Sequence, residues 1–154
     1  MNEYISQLIK DDKLKISVDK SKTFGFELGD KWVGEEKIII SGPCSVESKD
    51  MIVEWSLELD KVGVDAVRAG AYKPCTYPIR KEVNGWKEGM REEGLSALVD
   101  VQAQTGLPIV SEIMDANQIN DLSMDAIDVI QVGTRNFQNY TLLDALGKLD
   151  KPVL

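Results

Sequence analysis

The sequence predicts an α/β fold built on a parallel sheet. Three observations carry that prediction. Short continuous apolar runs recur after residue 36, most of them bounded by Gly or Pro, and amphipathic segments of helical length separate them. Continuous rather than alternating runs belong to strands covered on both faces. Parallel neighbours also need a crossover long enough to hold a helix. The resulting order is β-α-β-α-β-α-β-α-β.

Residues 1–36 are polar and weakly patterned, with a short charged helix or a mobile stretch expected over the first 20 or so. Between 23 and 33, Phe24, Phe26, Leu28 and Trp32 alternate loosely and Gly25, Gly29 and Gly34 interrupt them, as in a hairpin or an extended lead-in. Residues 37–42 read as a first strand buried on both faces. Ser48 caps a helix running to about residue 62, with Met51, Trp55, Leu59 and Val62 on one side and Gly63 as its stop. Residues 64–70 form the second strand, and a long polar loop follows to about Trp86. A helix over about 91–105 turns Leu95, Leu98, Val99 and Gln102 inward and ends at Gly106 and Pro108. The third strand spans 108–113. Asp115 with Gln118 three residues on resembles a capping box for a short helix through Leu122. The fourth strand spans 127–133. Asn139 caps a helix carrying Leu142, Leu143 and Leu146, Gly147 closes it, and 152–154 opens a fifth strand.

An open doubly wound sheet and a (β/α)8 barrel both fit this order. A flavodoxin-like sheet needs a final helix after the fifth strand, and a Rossmann sheet needs a GxGxxG turn after the first; neither is present. A barrel takes about 250 residues, so this chain would hold about four βα units plus the start of a fifth strand.

With 26 acidic against 18 basic residues among 154, the net charge is −8, which argues against a broad nucleic-acid surface. No apolar run approaches the ~20 residues of a membrane helix. The first residues lack a secretory signal, so a cytoplasmic setting with reduced thiols is expected. Histidine is absent, which rules out His-based catalysis and His metal ligation within the sequence. Cys44 and Cys75 lie in different motifs and no CxxC occurs, so no disulfide or zinc knuckle is expected.

Sites in parallel α/β folds gather at the carboxyl ends of strands. Cys44 ends the first strand and reads as a small buried hydrophobe, a metal ligand or a thiolate, the last disfavoured without a local His. Arg68 lies inside the second strand, where a charge is costly unless paired. It either pairs with Glu112 across the sheet or receives a phosphate or carboxylate. Lys73 and Thr76 follow in the loop, behind Gly70 and Ala71, which permit close backbone approach. Glu112, in the third strand, is the partner of Arg68 or a contact to ligand or metal-bound water. Arg135 leaves the fourth strand behind Gly133, as a solvated loop residue or an anion donor. Positive charge gathered in an acidic chain points to a small anionic substrate rather than a polyanion.

The segments GPCSVES, RAGAYKPCT, IVSEIMD, IQVGTRNFQN and KPVL together resemble the 3-deoxy-7-phosphoheptulonate (DAHP) synthase family, on the branch sharing its core with 3-deoxy-octulosonate 8-phosphate synthase. The resemblance covers about residues 30–154 and leaves 1–29 as a polar N-terminal extension. It implies a TIM-type barrel that condenses phosphoenolpyruvate with erythrose 4-phosphate, the first step of aromatic amino-acid biosynthesis. In that reaction a divalent metal (Mn, Fe, Zn or similar) polarises the aldehyde, C3 attacks it, water adds at C2 and phosphate leaves by C–O cleavage. By resemblance, Cys44 is a metal ligand, Arg68 and Lys73 bind phosphoenolpyruvate, and Arg135 with the Thr134 backbone binds its phosphate. Thr76 matches the aldose-phosphate loop, and Lys73 with Glu112 lies at the reacting groups. Lys-Pro followed by Thr76 favours the heptulosonate enzyme over its sister.

Two departures stand out. Cys75 replaces the family's Arg, a loss of ~2–3 kcal/mol of phosphate binding. The family's remaining metal ligands and its second phosphate-binding Arg are not in this sequence, so the chain is expected to be a truncated form, inactive alone. The alternatives are a non-catalytic half-barrel with open edges that forms homo-oligomers, aggregates or complements a second chain, and an octulosonate 8-phosphate synthase.

Overall fold

One four-stranded parallel sheet, with different chemistry on its two faces, organises the chain. The structure, a computed structural model, describes residues 6–7, 10, 25–73, 89–120 and 126–154. Strands β1 (Phe26–Leu28) and β2 (Lys31–Val33) form an antiparallel hairpin. Strands β3 (Ile40–Ser41), β4 (Ala66–Arg68), β5 (Ile109–Ile113) and β6 (Val129–Val132) follow in the spatial order β3-β4-β5-β6, all parallel. Helix α1 (Lys49–Lys61) crosses from β3 to β4, and α2 (Glu92–Thr105) from β4 to β5. A 3₁₀ segment, Ala116–Asn120, follows β5. After β6 come a 3₁₀ turn, Thr134–Asn136, and helix α3 (Tyr140–Leu146). The chain then returns beside β6: the Ile130 N–H donates to the Pro152 carbonyl at 3.0 Å, and the Leu154 N–H to that of Ile130 at 2.8 Å. A fifth parallel strand therefore opens at 152–154, as the sequence predicts.

The period of two along each strand sorts the side chains. Val67, Ile109, Ile113 and Ile130 pack with Ile52, Leu95, Leu98, Val101, Leu142 and Leu146 of the three helices. On the other face Ala66, Val110 and Val129 gather under Leu28 of the hairpin, with Phe26, Val33 and Ile38 around them. Further along that same face the residues become polar: Arg68 follows Ala66, Glu112 follows Val110, and Gln131 follows Val129, each two positions on. The sheet is thus apolar at its amino end and charged at its carboxyl end.

The helix caps form as read from the sequence. The Ser48 hydroxyl accepts from the Met51 N–H at 3.2 Å, and the Asn139 amide oxygen from Leu142 N–H at 3.2 Å. The Gln118 side chain reaches back to the N–H groups of Met114 (2.7 Å) and Asp115 (3.2 Å), while Asp115 accepts from the Asn117 N–H at 2.8 Å. Residues 121–125 lie outside the described set, and with them the predicted end of this helix.

Three packing expectations are corrected. Helix α1 buries Ile52 and Ser56 rather than the Met51–Val62 stripe, leaving Trp55 56% and Val62 75% exposed. Small Ser56 sits inside, its hydroxyl donating to the Ile52 carbonyl at 2.6 Å. Val99 on α2 is also exposed; Ala97 and Val101 face inward instead. The first strand is shorter than predicted and lies at the edge of the sheet, with Ile39 58% exposed, not covered on both faces.

A repeated device aligns the strand starts. Asp65, just before β4, accepts from the Ile39 N–H beside β3 at 2.6 Å. Asp128, just before β6, accepts from the Ile109 N–H of β5 at 2.7 Å and from the Gln102 amide at 3.0 Å. Each aspartate satisfies a donor that the parallel ladder leaves over. Asp65 also pairs with Lys31 of the hairpin at 2.5 Å. That hydrogen bond, then the Ile39 N–H, holds the Asp65 carboxyl below its ordinary 3.8, and Lys31 is raised above 10.5 by the same bond. A depressed carboxyl stabilises the fold above its unfolded-state pKa and ceases to do so as pH falls through the folded-state one. Asp65→Asn is therefore expected to lower the urea midpoint at neutral pH, and the gap to the unmodified chain should narrow steadily in acid below 3.8.

Candidate active site

The charged end of the sheet carries most of the residues singled out from the sequence. Arg68 ends β4, Glu112 lies in β5 and Gln131 in β6; Glu112 and Gln131 are level in the ladder. Arg68 does not pair with Glu112, as one reading of the sequence had it. Its Nε donates to Gln131 Oε1 at 2.9 Å, reaching across the width of β5. That bond fixes the guanidinium plane and leaves the Nη groups for a bidentate anion.

Glu112 takes Lys73 instead: the ammonium donates to Glu112 Oε2. The carboxylate is 2% exposed, so the pair is a buried one, and removing either partner would leave an uncompensated charge. Local backbone detail makes room for it. A Cβ at Gly133 would stand 2.2 Å from Glu112 Oε1, so any side chain there must displace the carboxylate. The buried Ser111 hydroxyl donates to the Ala69 carbonyl at 2.8 Å and accepts from the Ala71 N–H at 3.2 Å, which steers the chain leaving β4 toward Lys73.

The loop after β3 is laced to the same place: the Val46 N–H donates to the Gly70 carbonyl at 2.9 Å. Cys44 within that loop is a free, exposed thiol, which corrects the reading of a small buried hydrophobe. Thr134 and Arg135 form an exposed turn after β6. Asn136 anchors that turn to the end of β5 through the Met114 carbonyl at 2.8 Å. Thr76 and Cys75 lie outside the described residues. A cavity of about 460 Å³ opens beside Lys73, between Tyr72 and Arg91 on one side and Met114, Asn117 and Asn120 on the other. Gln131, Ser111 and Arg91 were not picked out from the sequence. A polar residue inside the apolar run 127–133, as Gln131 is, could have drawn notice in the way Arg68 did.

Parallel βα units that present cations and a buried carboxylate at the carboxyl ends of their strands define a barrel-type site for small anions. The chain belongs to the DAHP synthetase I family, whose profile matches residues 13–154. It is 38% identical over 129 residues to the phospho-2-dehydro-3-deoxyheptonate aldolase of Thermotoga maritima, covering 83% of this chain and 36% of that protein. It is 27% identical over 133 residues to a 2-dehydro-3-deoxyphosphooctonate aldolase of Methylobacillus flagellatus, covering 84% of this chain and 45% of the relative. The crystal structure of the Thermotoga maritima enzyme, a DAHP synthase, superposes with a TM-score of 0.73 at 33% identity, over 87% of this chain and 37% of that one. The fold is therefore part of a TIM-type barrel, and the chain spans less than half the length of these relatives.

Relatives of this kind are generally metal-dependent. Among the described residues no group of three or more His, Cys, Asp or Glu side chains could hold a metal ion. Cys44 is a single thiolate donor at the end of β3, and one protein ligand does not retain a divalent ion. The described residues do not fit a metal centre.

Two substitutions test the architecture. Ser111→Ala strands the buried Ala71 N–H and is expected to cost about 1–3 kcal/mol in urea unfolding. Gly133→Ala must displace the Glu112 carboxylate, and the loss expected from such overpacking is at least about 1 kcal/mol by the same measurement.

Proposed function

We propose that this chain carries the phosphoenolpyruvate-binding part of a DAHP synthase, which condenses phosphoenolpyruvate with erythrose 4-phosphate to give 3-deoxy-7-phosphoheptulonate and phosphate. The observation that carries the reading is the orientation of Arg68 by Gln131 next to the buried Lys73–Glu112 pair. Membership of the family and the higher identity to a heptonate than to an octonate aldolase support it.

Arg68 takes the carboxylate or phosphate of phosphoenolpyruvate in bidentate fashion, and Lys73 adds a second cation. Arg135 and the Thr134 backbone hold the phosphate from the far side, and Thr76 meets the aldose phosphate. The carbon–carbon bond forms between C3 of phosphoenolpyruvate and the aldehyde carbon, water adds at C2, and phosphate departs from C2. The aldehyde oxygen gains one proton, which Lys73 Nζ can give. The water loses two: Glu112 Oε2 can take the first on addition, and the second leaves with the phosphate as the C2 hydroxyl becomes the ketone. A transfer across their hydrogen bond then restores both charges.

The chain alone is expected to bind phosphoenolpyruvate in a phosphorus NMR titration without releasing phosphate when erythrose 4-phosphate is added. A charge-assisted hydrogen bond is worth about 1.5–3 kcal/mol, so Arg68→Gln should weaken phosphoenolpyruvate by roughly ten- to a hundredfold. Unchanged affinity in that variant would remove Arg68 from the site, and steady turnover by the chain would overturn its inactivity. In a full-length relative carrying these residues, a preference for a five-carbon over a four-carbon aldose phosphate would favour the octulosonate reaction instead.

A further inference from the structure

Arg135 presents a contrast between its side chain and its base. The residue stands in the exposed turn Thr134–Asn136, and no hydrogen bond or ion pair holds its guanidinium among the described residues. An arginine so placed is ordinarily a solvated side chain with a wide choice of rotamers. The turn beneath it is nonetheless fixed at several points, and most of them run through Asn136. The Asn136 N–H donates to the Gly133 carbonyl at 2.8 Å, which closes the turn. Its amide nitrogen donates to the Met114 carbonyl at 2.8 Å, and its amide oxygen accepts from the Asn139 side chain at 3.1 Å. Each bond ends on something already held. Met114 is gripped at its N–H by Gln118 at 2.7 Å, Asn139 caps α3 through the Leu142 N–H at 3.2 Å, and Gly133 lies against the Glu112 carboxylate.

Such anchoring exceeds what the connection needs. Asn139 alone caps the helix, and the Asn136 backbone alone closes the turn. The side chain of Asn136 adds a link from this turn to the end of β5, 22 positions earlier. What the link fixes is the place from which Arg135 reaches out. A rigid base removes backbone freedom that a ligand would otherwise have to freeze. The choice of an amide matters too. A carboxylate at 136 would draw the guanidinium beside it, whereas an amide holds the turn and leaves the positive charge to a ligand. Gln131 treats Arg68 in the same way, accepting from Nε without neutralising it, while the cation that does meet a carboxylate is Lys73.

We propose that Asn136 is a positioning residue: it holds the turn after β6 against the end of β5, so that Arg135 meets the phosphate group of an anionic ligand from a fixed base. The identity of that ligand as phosphoenolpyruvate rests on the function proposed above; the anchor itself rests on the three bonds of Asn136. Arg135 makes the contact, and Asn136 acts only through it.

Amide chemical-shift titrations of the isotope-labelled chain with phosphoenolpyruvate, inorganic phosphate and pyruvate test the proposal. Arg135→Gln should weaken phosphoenolpyruvate by about tenfold or more, the loss of a charge-assisted contact. Asn136→Ala should weaken it by about three- to tenfold, the cost of ordering a freed side chain and its turn. The double variant should bind within about twofold of Arg135→Gln alone, because Asn136 then has nothing left to position. Pyruvate, which lacks the phosphate, should bind the unmodified chain and the variants alike. A merely structural role would weaken pyruvate as well and multiply with the loss at Arg135. The proposal is overturned if Asn136→Ala binds phosphoenolpyruvate as the unmodified chain does, if the two losses multiply, or if pyruvate weakens in step. Should Asn136→Ala not fold, Asn139→Ser decides. Serine still caps α3 but is too short to reach Asn136, so phosphoenolpyruvate should weaken and pyruvate should not; unchanged binding of phosphoenolpyruvate overturns the proposal. Should phosphoenolpyruvate fail to bind while inorganic phosphate binds and depends on both Arg135 and Asn136, the condensation reading fails and the positioning role stands. Binding of neither anion overturns both.

Discussion

A carboxylate placed at the centre of a parallel sheet with 2% of its side chain exposed must be neutralised from nearby, and Lys73 meets that need. Burying an unpaired charge costs several kcal/mol, of the order of the whole stability of a small domain. Glu112 therefore constrains its surroundings more than any apolar residue does. The loop leaving β4 has to bring Lys73 over the end of β5, and Ser111 guides it by bonding on both sides of Gly70. The chain after β6 has to pass Glu112 so closely that a side chain at Gly133 would push the carboxylate aside. Three strand ends are thereby set relative to one another by one ion pair.

The rest of the sheet supports this arrangement by dividing the work along its length. At the amino ends of the strands, Leu28 of the hairpin closes a small apolar cluster, and Asp65 and Asp128 satisfy the leftover strand donors. At the carboxyl ends the same face turns polar within two residues on β4, β5 and β6. The helical side is apolar apart from the small buried hydroxyls of Ser56 and Ser111. Stability is thus drawn from one face and one end, and the remaining end is left free to hold charged groups in fixed directions, as a binding site requires.

Much of this was legible in advance where the chemistry is local. The caps at Ser48 and Asn139, the reach of Gln118 back to Met114, the helix stops at Gly63 and Gly106 and the start of a fifth strand at Pro152 each depend on a few consecutive residues. The placement of Arg68, Lys73 and Glu112 at the strand ends was legible as well, because a charge inside an apolar strand must be paired or meet a ligand, whereas Arg135 stands in an exposed turn. Helix rotation was not. A stripe of Met51, Trp55, Leu59 and Val62 and a stripe through Ile52 and Ser56 lie about 100° apart on one helix, and the choice between them depends on the shape of α2 opposite.

The alternation of strands and helices, and the gathering of basic groups at one end of the sheet, follow from the order of residues, since period, capping and turn chemistry act over a handful of positions. Which charge meets which partner was settled in three dimensions. Arg68 and Glu112 were plausible mates as adjacent-strand residues, yet the guanidinium spans β5 to reach Gln131 and Lys73 folds back onto Glu112. Those pairings join residues 63 and 39 positions apart. They depend on strand register, on the space left by Gly133 and on the reach of long side chains, none of which is expressed in any local stretch of sequence.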